Sequence, residues 1–360
     1  MRRYVGQGMI PARPGLIVVG GQWGSEGKGA FIHEIAQDYG THVRVGGPQA
    51  GHSVKLGPEY SEAVLKLQTI PVGAASGKSS IIGMASVVDM EVLAREVGWF
   101  QELGIPLDLV VDGRATVMPA DAQEVEKAFG LNDRLGSTGK GVGAARAARI
   151  MRTAQTVWEY AEENPLPGGV AAVDTSPLIW QRLLEGQVLV EAAQGVLLSL
   201  FSSGYYPFVT SAEATAAGAF ADLGLPLRLA SEFEVCGVFR TYPIRVAGNS
   251  GPLPRETTWE AIEARRGAEI AESEKMTTVT RKIRRVAEWD AEVASRAVRR
   301  YGIDWAVLSF LDYPFPEIAG ETDYDKMPAR VKGYVEEREQ ELGVPIFAVG
   351  TGFGSYAWLR

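Results

Sequence analysis

The amino-acid sequence predicts an α/β fold: a large, mainly parallel central sheet covered by helices, with a P-loop-like nucleotide site. Two observations carry the fold class. Short apolar runs recur along the chain, each stopping at a glycine or polar cluster, as buried strands of parallel sheets do. Segments with helical periodicity alternate with them, the pattern of strand–helix–strand crossovers. A third observation places the site, because the first apolar run leads straight into a glycine-rich stretch, GGQWGSEGKG, at 20–29.

Strands are expected at 16–19, 80–82, 109–111, 188–190, 233–239, 306–310 and 346–349. Helices are expected at 91–103, 120–128 and 286–301. In the last, Val286, Trp289, Val293 and Ala297 recur at helical spacing with charges on the other side. The Gly/Pro-rich stretches 164–169 and 248–254 read as loops rather than linkers. One domain with long active-site loops is therefore expected over 15–360, after an N-terminal extension over 1–14. Ligands of such sheets collect beyond the carboxyl ends of the strands. The polar, glycine-rich clusters sit there, after Val19, Val190, Phe310 and Val349.

Composition narrows the function. At 360 residues, with 46% hydrophobic and 22% charged, the chain can bury a large core. Acidic residues outnumber basic ones by 44 to 36, for a formal charge of -8. Nothing global recommends a nucleic-acid partner, although a local basic pocket would suit phosphates. The single cysteine, Cys236, excludes an internal disulfide and fits a reducing compartment. Three histidines are too few for a histidine-rich metal site. The N-terminal stretch lacks the apolar core of a signal peptide. The apolar runs fall far below the ~20 residues that span a bilayer. A soluble protein of the cytoplasm, with no membrane partner, is the expectation.

In the 20–29 loop, glycines let backbone N–H groups turn towards phosphate oxygens, and the helix that follows adds a favourable field. Lys28 brings a compact positive charge. The ordinary Walker A spacing is not met, because five residues separate Gly21 from Gly27 and Gly29 replaces Ser/Thr. That disfavours a P-loop motor or switch.

The stretch 21–29 resembles the phosphate loop of the adenylosuccinate synthetase family, which reads GxQWGDEGKGK. The resemblance implies that Gly24, Ser25, Glu26, Gly27, Lys28, Gly29 and Ala30 bind the donor nucleotide. Ser25 stands where the family has its catalytic aspartate. That change is similar to the phage branch of the family, the 2-aminoadenylosuccinate synthetases. Those enzymes act on dGMP in the route to 2-aminoadenine DNA, which would place this chain in a host cytoplasm.

Further motifs extend the resemblance over nearly the whole chain. The stretch 46–53 (GGPQAGHS) resembles GGxNAGHT. It implies that His52 is catalytic, that the Gly51 carbonyl joins Ser25 as a magnesium ligand, that Ser53 touches the donor and that Gln49 touches dGMP. The stretch 136–143 (GSTGKGVG) resembles GTTGRGIGP, which puts Ser137 and Thr138 on the substrate phosphate. Arg152 falls where the family has an arginine reaching into the partner subunit's site, implying a homodimer. The stretch 191–198 (EAAQGVLL) resembles EGAQGTLL and makes Gln194 the amide that reads the purine. The stretch 206–211 (YPFVTS) resembles YPYVTSS, with Thr210 holding the monophosphate.

The stretch 276–285 (MTTVTRKIRR) resembles the aspartate-binding loop TVTGRPRR. It implies Thr278, Val279, Thr280 and Arg284 on aspartate, Arg284 also on the donor, and Lys282 near the dGMP ribose. Arg281 replaces a glycine there, and Lys282 an arginine. Phe310, Leu311 and Asp312 occupy the guanine-reading motif TKLD, with Phe310 in place of the lysine that flanks the base of GTP. The implied donor is therefore ATP or dATP. Gly350, Thr351 and Gly352 resemble STG and complete the donor-base pocket.

The resemblance implies a carbon–nitrogen ligase that joins L-aspartate to C6 of dGMP with hydrolysis of ATP or dATP and with Mg2+. In the family the purine 6-oxygen attacks the γ-phosphate while the aspartate removes the N1 proton. Histidine stabilises the charge, and magnesium bridges the donor phosphates. The amino group of aspartate then displaces phosphate from C6. Ser25 is no carboxylate base. It is expected to make room for the guanine 2-amino group and accept a bond from it, with the N1 proton leaving through water, the Ser25 hydroxyl or Glu26. Two alternatives stand beside this reading. One is an ordinary adenylosuccinate synthetase using IMP and GTP. The other is a non-catalytic nucleotide-binding protein, which predicts scattered decay of the site. Lys28, His52, Thr138, Gln194, Thr210 and Arg284 are all retained.

Overall fold

The computed structural model of the chain describes residues 2–5, 8–11, 13–276 and 282–359. Ten strands form one central sheet. In chain order they are β1 Gly15–Gly20, β2 Thr41–Arg44, β3 Ser79–Ile82, β4 Leu109–Asp112 and β5 Ala171–Val173, then β6 Val188–Gly195, β7 Phe233–Arg240, β8 Trp305–Ser309, β9 Ile346–Gly352 and β10 Ser355–Trp358. Across the sheet the order is β5-β4-β3-β2-β6-β1-β7-β8-β9-β10. Every neighbouring pair is parallel except β9 with β10. The mainly parallel α/β sheet expected from the sequence is the fold.

Alternation along β1 shows how the sheet is buried. Leu16 and Val18 face one core and Ile17 and Val19 the other, all at most 2% exposed. The first core is covered by α1 Lys28–Ile35 through Phe31, Ile32 and Ile35, and by α2 Met90–Glu102 through Leu93, Val97 and Phe100. The second is covered by α4 Thr175–Glu185, α5 Ala291–Tyr301 and α6 Ala329–Leu342. Helix α3 Val142–Met151 lies apart, beside Val87 and Met118. Apolar residues on both faces are why the strands read as short continuous runs.

All seven expected strands are present, with small differences at their ends. One helix boundary needs correction. The helix expected over 286–301 begins only at Ala291, and Arg285–Ala287 is instead the middle strand of a small antiparallel sheet with Ile244–Arg245 and Glu256–Thr257. The Asp290 carboxylate accepts the Val293 N–H at 3.0 Å, which caps the helix and ends it there. The periodicity misleads because Val286 and Trp289 are buried for other reasons than helical phase. The helix expected from 120 starts at Ala122. Strands β2, β5 and β10 add to those expected from the sequence. Before β1, Arg2–Val5 and Gly8–Pro11 pair as an antiparallel hairpin beside β9. Among the described residues no helix is long and apolar enough to cross a membrane.

Candidate active site

The glycine-rich loop leaves the carboxyl end of β1 at the centre of the sheet. Gly24 and Gly27 take φ of 91° and 90°, and Ser25 takes 58° in the same left-handed region. A loop this contorted needs internal fastening, and Glu26 supplies it. Its fully buried carboxylate accepts the N–H of Gln22 at 3.2 Å and of Gly24 at 2.7 Å. Its other oxygen accepts from Lys28 Nζ at 3.0 Å. Lys28 also donates to the Gln194 carbonyl at 2.7 Å, tying the loop to the end of β6. The Ser309 hydroxyl donates to the Glu26 carbonyl at 2.5 Å, and the Gln22 amide bridges both backbone groups of Arg240. Gly29 lets α1 approach, since a Cβ there would come 2.8 Å from the His52 Cβ.

This arrangement removes one of the three expected proton acceptors. With its oxygens on backbone N–H groups and Lys28, and no exposed surface, Glu26 is a fastening residue of the loop. Ser25 is the exposed residue of 20–30.

His52 opens the short strand His52–Lys55, between Gly51 and Ser53. Its Nδ1 bonds to Glu191 on β6, and its side chain is 10% exposed. The same Glu191 oxygen takes Arg44 at 2.6 Å, and the other accepts the Val72 N–H at 2.8 Å. Arg44 reaches on to the Ala50 carbonyl at 2.7 Å. Burial opposes the charge on Glu191, but Arg44, then His52, outweigh it and hold its pKa down to about 2. Burial pushes His52 below its ordinary value, against the pull of Glu191. Near neutrality the carboxylate is charged, fixed by the permanently charged Arg44. It therefore orients the imidazole through Nδ1–H. Behind this loop, Glu96 on α2 accepts the N–H groups of Gln68, Thr69 and Ile70, and Gln68 donates to the Pro48 carbonyl at 2.5 Å. Gln49 Oε1 is buried without a partner.

The other strand ends converge here. Gln194 ends β6 in the left-handed region at φ 65°, half-buried. Thr210 N–H is held by the Leu198 carbonyl at 2.8 Å, beyond the same strand. Ser137 and Thr138 lie half-buried before α3, where Ser137 accepts the Gly139 N–H at 3.2 Å. Arg152 is exposed and closes α3 in the left-handed region at φ 62°.

On the far side of the loop, Phe310 leaves β8 at φ 59°, and its carbonyl accepts from the Thr241 hydroxyl at 2.7 Å. Its ring meets Tyr313 edge-on at 5.2 Å. Leu311 N–H bonds the Gly350 carbonyl at 2.8 Å. Burial, then repulsion from Glu274, pushes the Asp312 carboxyl up to about 6, and its Oδ1 has no partner. The Thr351 hydroxyl, fully buried, donates to the Glu321 carbonyl at 2.8 Å, next to Gly352. Arg284 donates to the Glu274 carbonyl at 3.0 Å. Burial, then Arg240, pulls its pKa to about 9. Lys282 is exposed. Thr278, Val279, Thr280 and Arg281 lie outside the described residues.

The structure thus brings Ser25, His52, Gln194, Thr210, Phe310 and Asp312 to the carboxyl edge of one sheet. It also adds three charged residues that sequence reading left without a role: Arg44, Glu191 and Arg240. A signal existed for Glu191, since an acid inside a run as apolar as 188–193 demands a buried cation. Arg44 had none, because its strand was not expected.

The sequence model described as adenylosuccinate synthetase matches residues 17–169 and 169–318. The chain is 35% identical over 346 residues to the adenylosuccinate synthetase of Pyrococcus sp. (strain ST700), covering 94% of this chain and 96% of that protein. Fully ligated adenylosuccinate synthetase from Plasmodium falciparum has a similar fold, with TM-score 0.81 at 19% identity over 96% of this chain and 99% of that one. Cyanophage S-2L succinoaminodeoxyadenylate synthetase (PurZ), bound to dGMP and to dATP as an energy donor, is similar with TM-score 0.78 at 28% identity, covering 97% and 96%. The chain belongs to the adenylosuccinate synthetase family, carbon–nitrogen ligases of purine nucleotide biosynthesis that join aspartate to a purine nucleotide.

Proposed function

We propose that this ligase acts on dGMP, joining L-aspartate to C6 at the expense of ATP or dATP to give N6-succino-2-amino-2'-deoxyadenylate. The observation that carries the reading is Ser25, exposed at the tip of the phosphate loop where the family places an aspartate. A hydroxyl there leaves room for the guanine 2-amino group and accepts a hydrogen bond from it. Phe310, in place of a lysine, supports an adenine donor. Similarity to the cyanophage enzyme supports both points.

In this reading Gln194 and Gln49 face the purine, Ser137, Thr138 and Thr210 hold its phosphate, and Lys282 its sugar. Lys28 and the loop N–H groups of Gly24, Gly27, Gly29 and Ala30 hold the donor phosphates. Leu311, Gly350, Thr351 and Gly352 shape the base pocket around Asp312. His52, oriented by Glu191, stabilises charge as the purine 6-oxygen attacks the γ-phosphate. The N1 proton passes to water, directly or relayed through the Ser25 hydroxyl, and the aspartate amino group then bonds C6, gives a proton to water and expels phosphate. Arg284 and the 278–280 stretch hold the aspartate carboxylates. Among the described residues no cluster of three or more His, Cys, Asp or Glu could hold a metal. The Ser25 hydroxyl and Gly51 carbonyl, both hard oxygen donors, are the groups that would hold Mg2+. Bound there, Mg2+ would neutralise charge on the donor phosphates. Arg152 stands exposed beside Ile150 and Met151, which are 71% and 70% exposed, and supports a homodimer that completes each site. Sedimentation of the full chain reads that state.

Product mass tests the reading, after incubation with aspartate, magnesium and ATP and with dGMP or IMP in separate tubes. A succinylated 2-amino deoxynucleotide from dGMP alone supports it. Adenylosuccinate from IMP alone, with GTP supplied, establishes the second reading, an ordinary adenylosuccinate synthetase, which the archaeal relatives favour. Ser25→Asp should move the dGMP-to-IMP ratio of kcat/KM towards IMP by roughly tenfold to a hundredfold. An unchanged ratio would reject the role given to Ser25.

Asp312 makes donor binding depend on pH. Its pKa of about 6 in the free protein means the charged form is disfavoured there. A purine N–H donated to the carboxylate favours that form. ATP affinity should therefore be full above pH 6 and fall as pH drops through it, whereas Asp312→Asn should flatten the profile. Equal ATP affinity from about pH 5 to about pH 8 would exclude Asp312 from the contact.

A further inference from the structure

Arg240 ends β7, beside the phosphate loop, and is 1% exposed. Its Nη1 donates to the Ser25 carbonyl at 3.3 Å. The guanidinium lies 3.6 Å from the centre of the Phe310 ring and 5.1 Å from that of Tyr313. Nε and Nη2 are buried without a hydrogen-bond partner. Arg284 stands close enough for the two charges to oppose each other, and its Nε is also buried and unpartnered. Among the described residues the Arg240 guanidinium meets the Ser25 carbonyl and the Tyr313 side chain, and Arg284 the Glu274 carbonyl, none of them a carboxylate.

A cation withdrawn from water beside the half-buried Arg284, with no carboxylate bonded to it, is costly to keep. Glu26, the nearest carboxylate of the loop, already serves Lys28 and two backbone N–H groups. Asp312 and Glu274 favour the Arg240 charge from farther off, and Tyr313 from nearby. What the place lacks is an anion between the phosphate loop and the donor-base pocket. Phe310 bears on the same point. Its ring gives the guanidinium a flat face to rest on, so a positive charge reaches this spot from Arg240 where the family has a lysine at the position of Phe310.

We infer that Arg240 is a further donor-binding residue, whose unpartnered Nε and Nη2 take phosphate oxygens of the purine triphosphate. This rests on the ligase reading above and adds to it the residue that joins the phosphate loop to the base pocket. The fork of an arginine suits phosphate oxygens in a way a lysine does not.

Calorimetric titration of the full chain tests it, with magnesium and ATP in one series and dGMP in another. Arg240→Met should weaken ATP roughly tenfold to a hundredfold and leave dGMP within about twofold. Arg240→Lys, which keeps the charge but not the fork, should fall between. Should Arg240→Met fail to fold, Arg240→Lys carries the test with the same split between ligands. ATP binding unchanged in either folded variant overturns the inference. So does an equal loss for ATP and dGMP, which would mark Arg240 as a packing residue only. If the unaltered chain binds dGMP but no purine triphosphate, the ligase reading itself fails, and this inference with it.

Discussion

Glu191→Ala is expected to cost about 3–5 kcal/mol of stability and to abolish most activity. Two basic groups meet on one carboxylate oxygen where water does not reach, Arg44 at 2.6 Å and His52 beside it. The other oxygen accepts the Val72 N–H at 2.8 Å. Taking the carboxylate away leaves Arg44 charged and 3% exposed, with only the neutral Ala50 carbonyl at 2.7 Å and His52 Nδ1 at 3.5 Å beside it. It also releases the imidazole. Guanidinium unfolding should show a lower midpoint at an unchanged slope. A loss below about 1 kcal/mol would mean that Arg44 finds water or another partner. The double variant Glu191→Leu with Arg44→Met should regain much of the stability, because a buried pair replaced by apolar groups is often neutral. It should not regain activity, since His52 stays unoriented.

The same carboxylate predicts an acid limb. Its pKa falls from 4.5 to about 2 on folding. A depressed carboxylate stabilises the fold above the unfolded value and loses that contribution as pH falls through the folded one. The window therefore runs from pH 4.5 down to about 2. His52, buried with a lowered pKa, works in the same direction at higher pH, because the unfolded chain takes up its proton first. An acid limb of stability unaltered by Glu191→Ala would reject the assignment.

Lys28→Met is expected to lower kcat by roughly a hundredfold to a thousandfold. Lys28 is the cation of the phosphate loop, and it also holds the Gln194 carbonyl at 2.7 Å. Its loss should therefore raise the KM of the purine monophosphate along with that of the donor, because Gln194 sits at φ 65° and needs such support. Glu26→Gln separates the two roles. It keeps an acceptor for Gln22 and Gly24 but weakens the pull on Lys28, so a smaller loss is expected. Turnover within about tenfold of the parent in Lys28→Met would mean that Lys28 serves only to neutralise Glu26.

By itself the sequence determined the sheet, the place of the phosphate loop and the family. Buried parallel strands are written as apolar runs, and a loop whose backbone must bend to φ near 90° at Gly24 and Gly27 is written as glycines. Ser25 and Phe310 were visible as departures from a motif. The sequence could not tell which charges meet. Arg44 and Glu191 come from separate stretches and are set opposite each other by the pairing of β2 with β6, and His52 joins them from the short strand that follows β2. Glu26 looked like an available base until the loop closed around it. Arg240 carried no expectation from the sequence, and its place against Phe310, from the end of β8, is set by the pairing of β7 with β8. The helix misplaced over 286–301 failed for a related reason, since the Asp290 cap and the pairing of Val286 overrode a local periodicity. Local pattern records which side chains avoid water. Which ionised groups meet out of water is decided by contacts between residues far apart in the chain, and only the tertiary structure sets those.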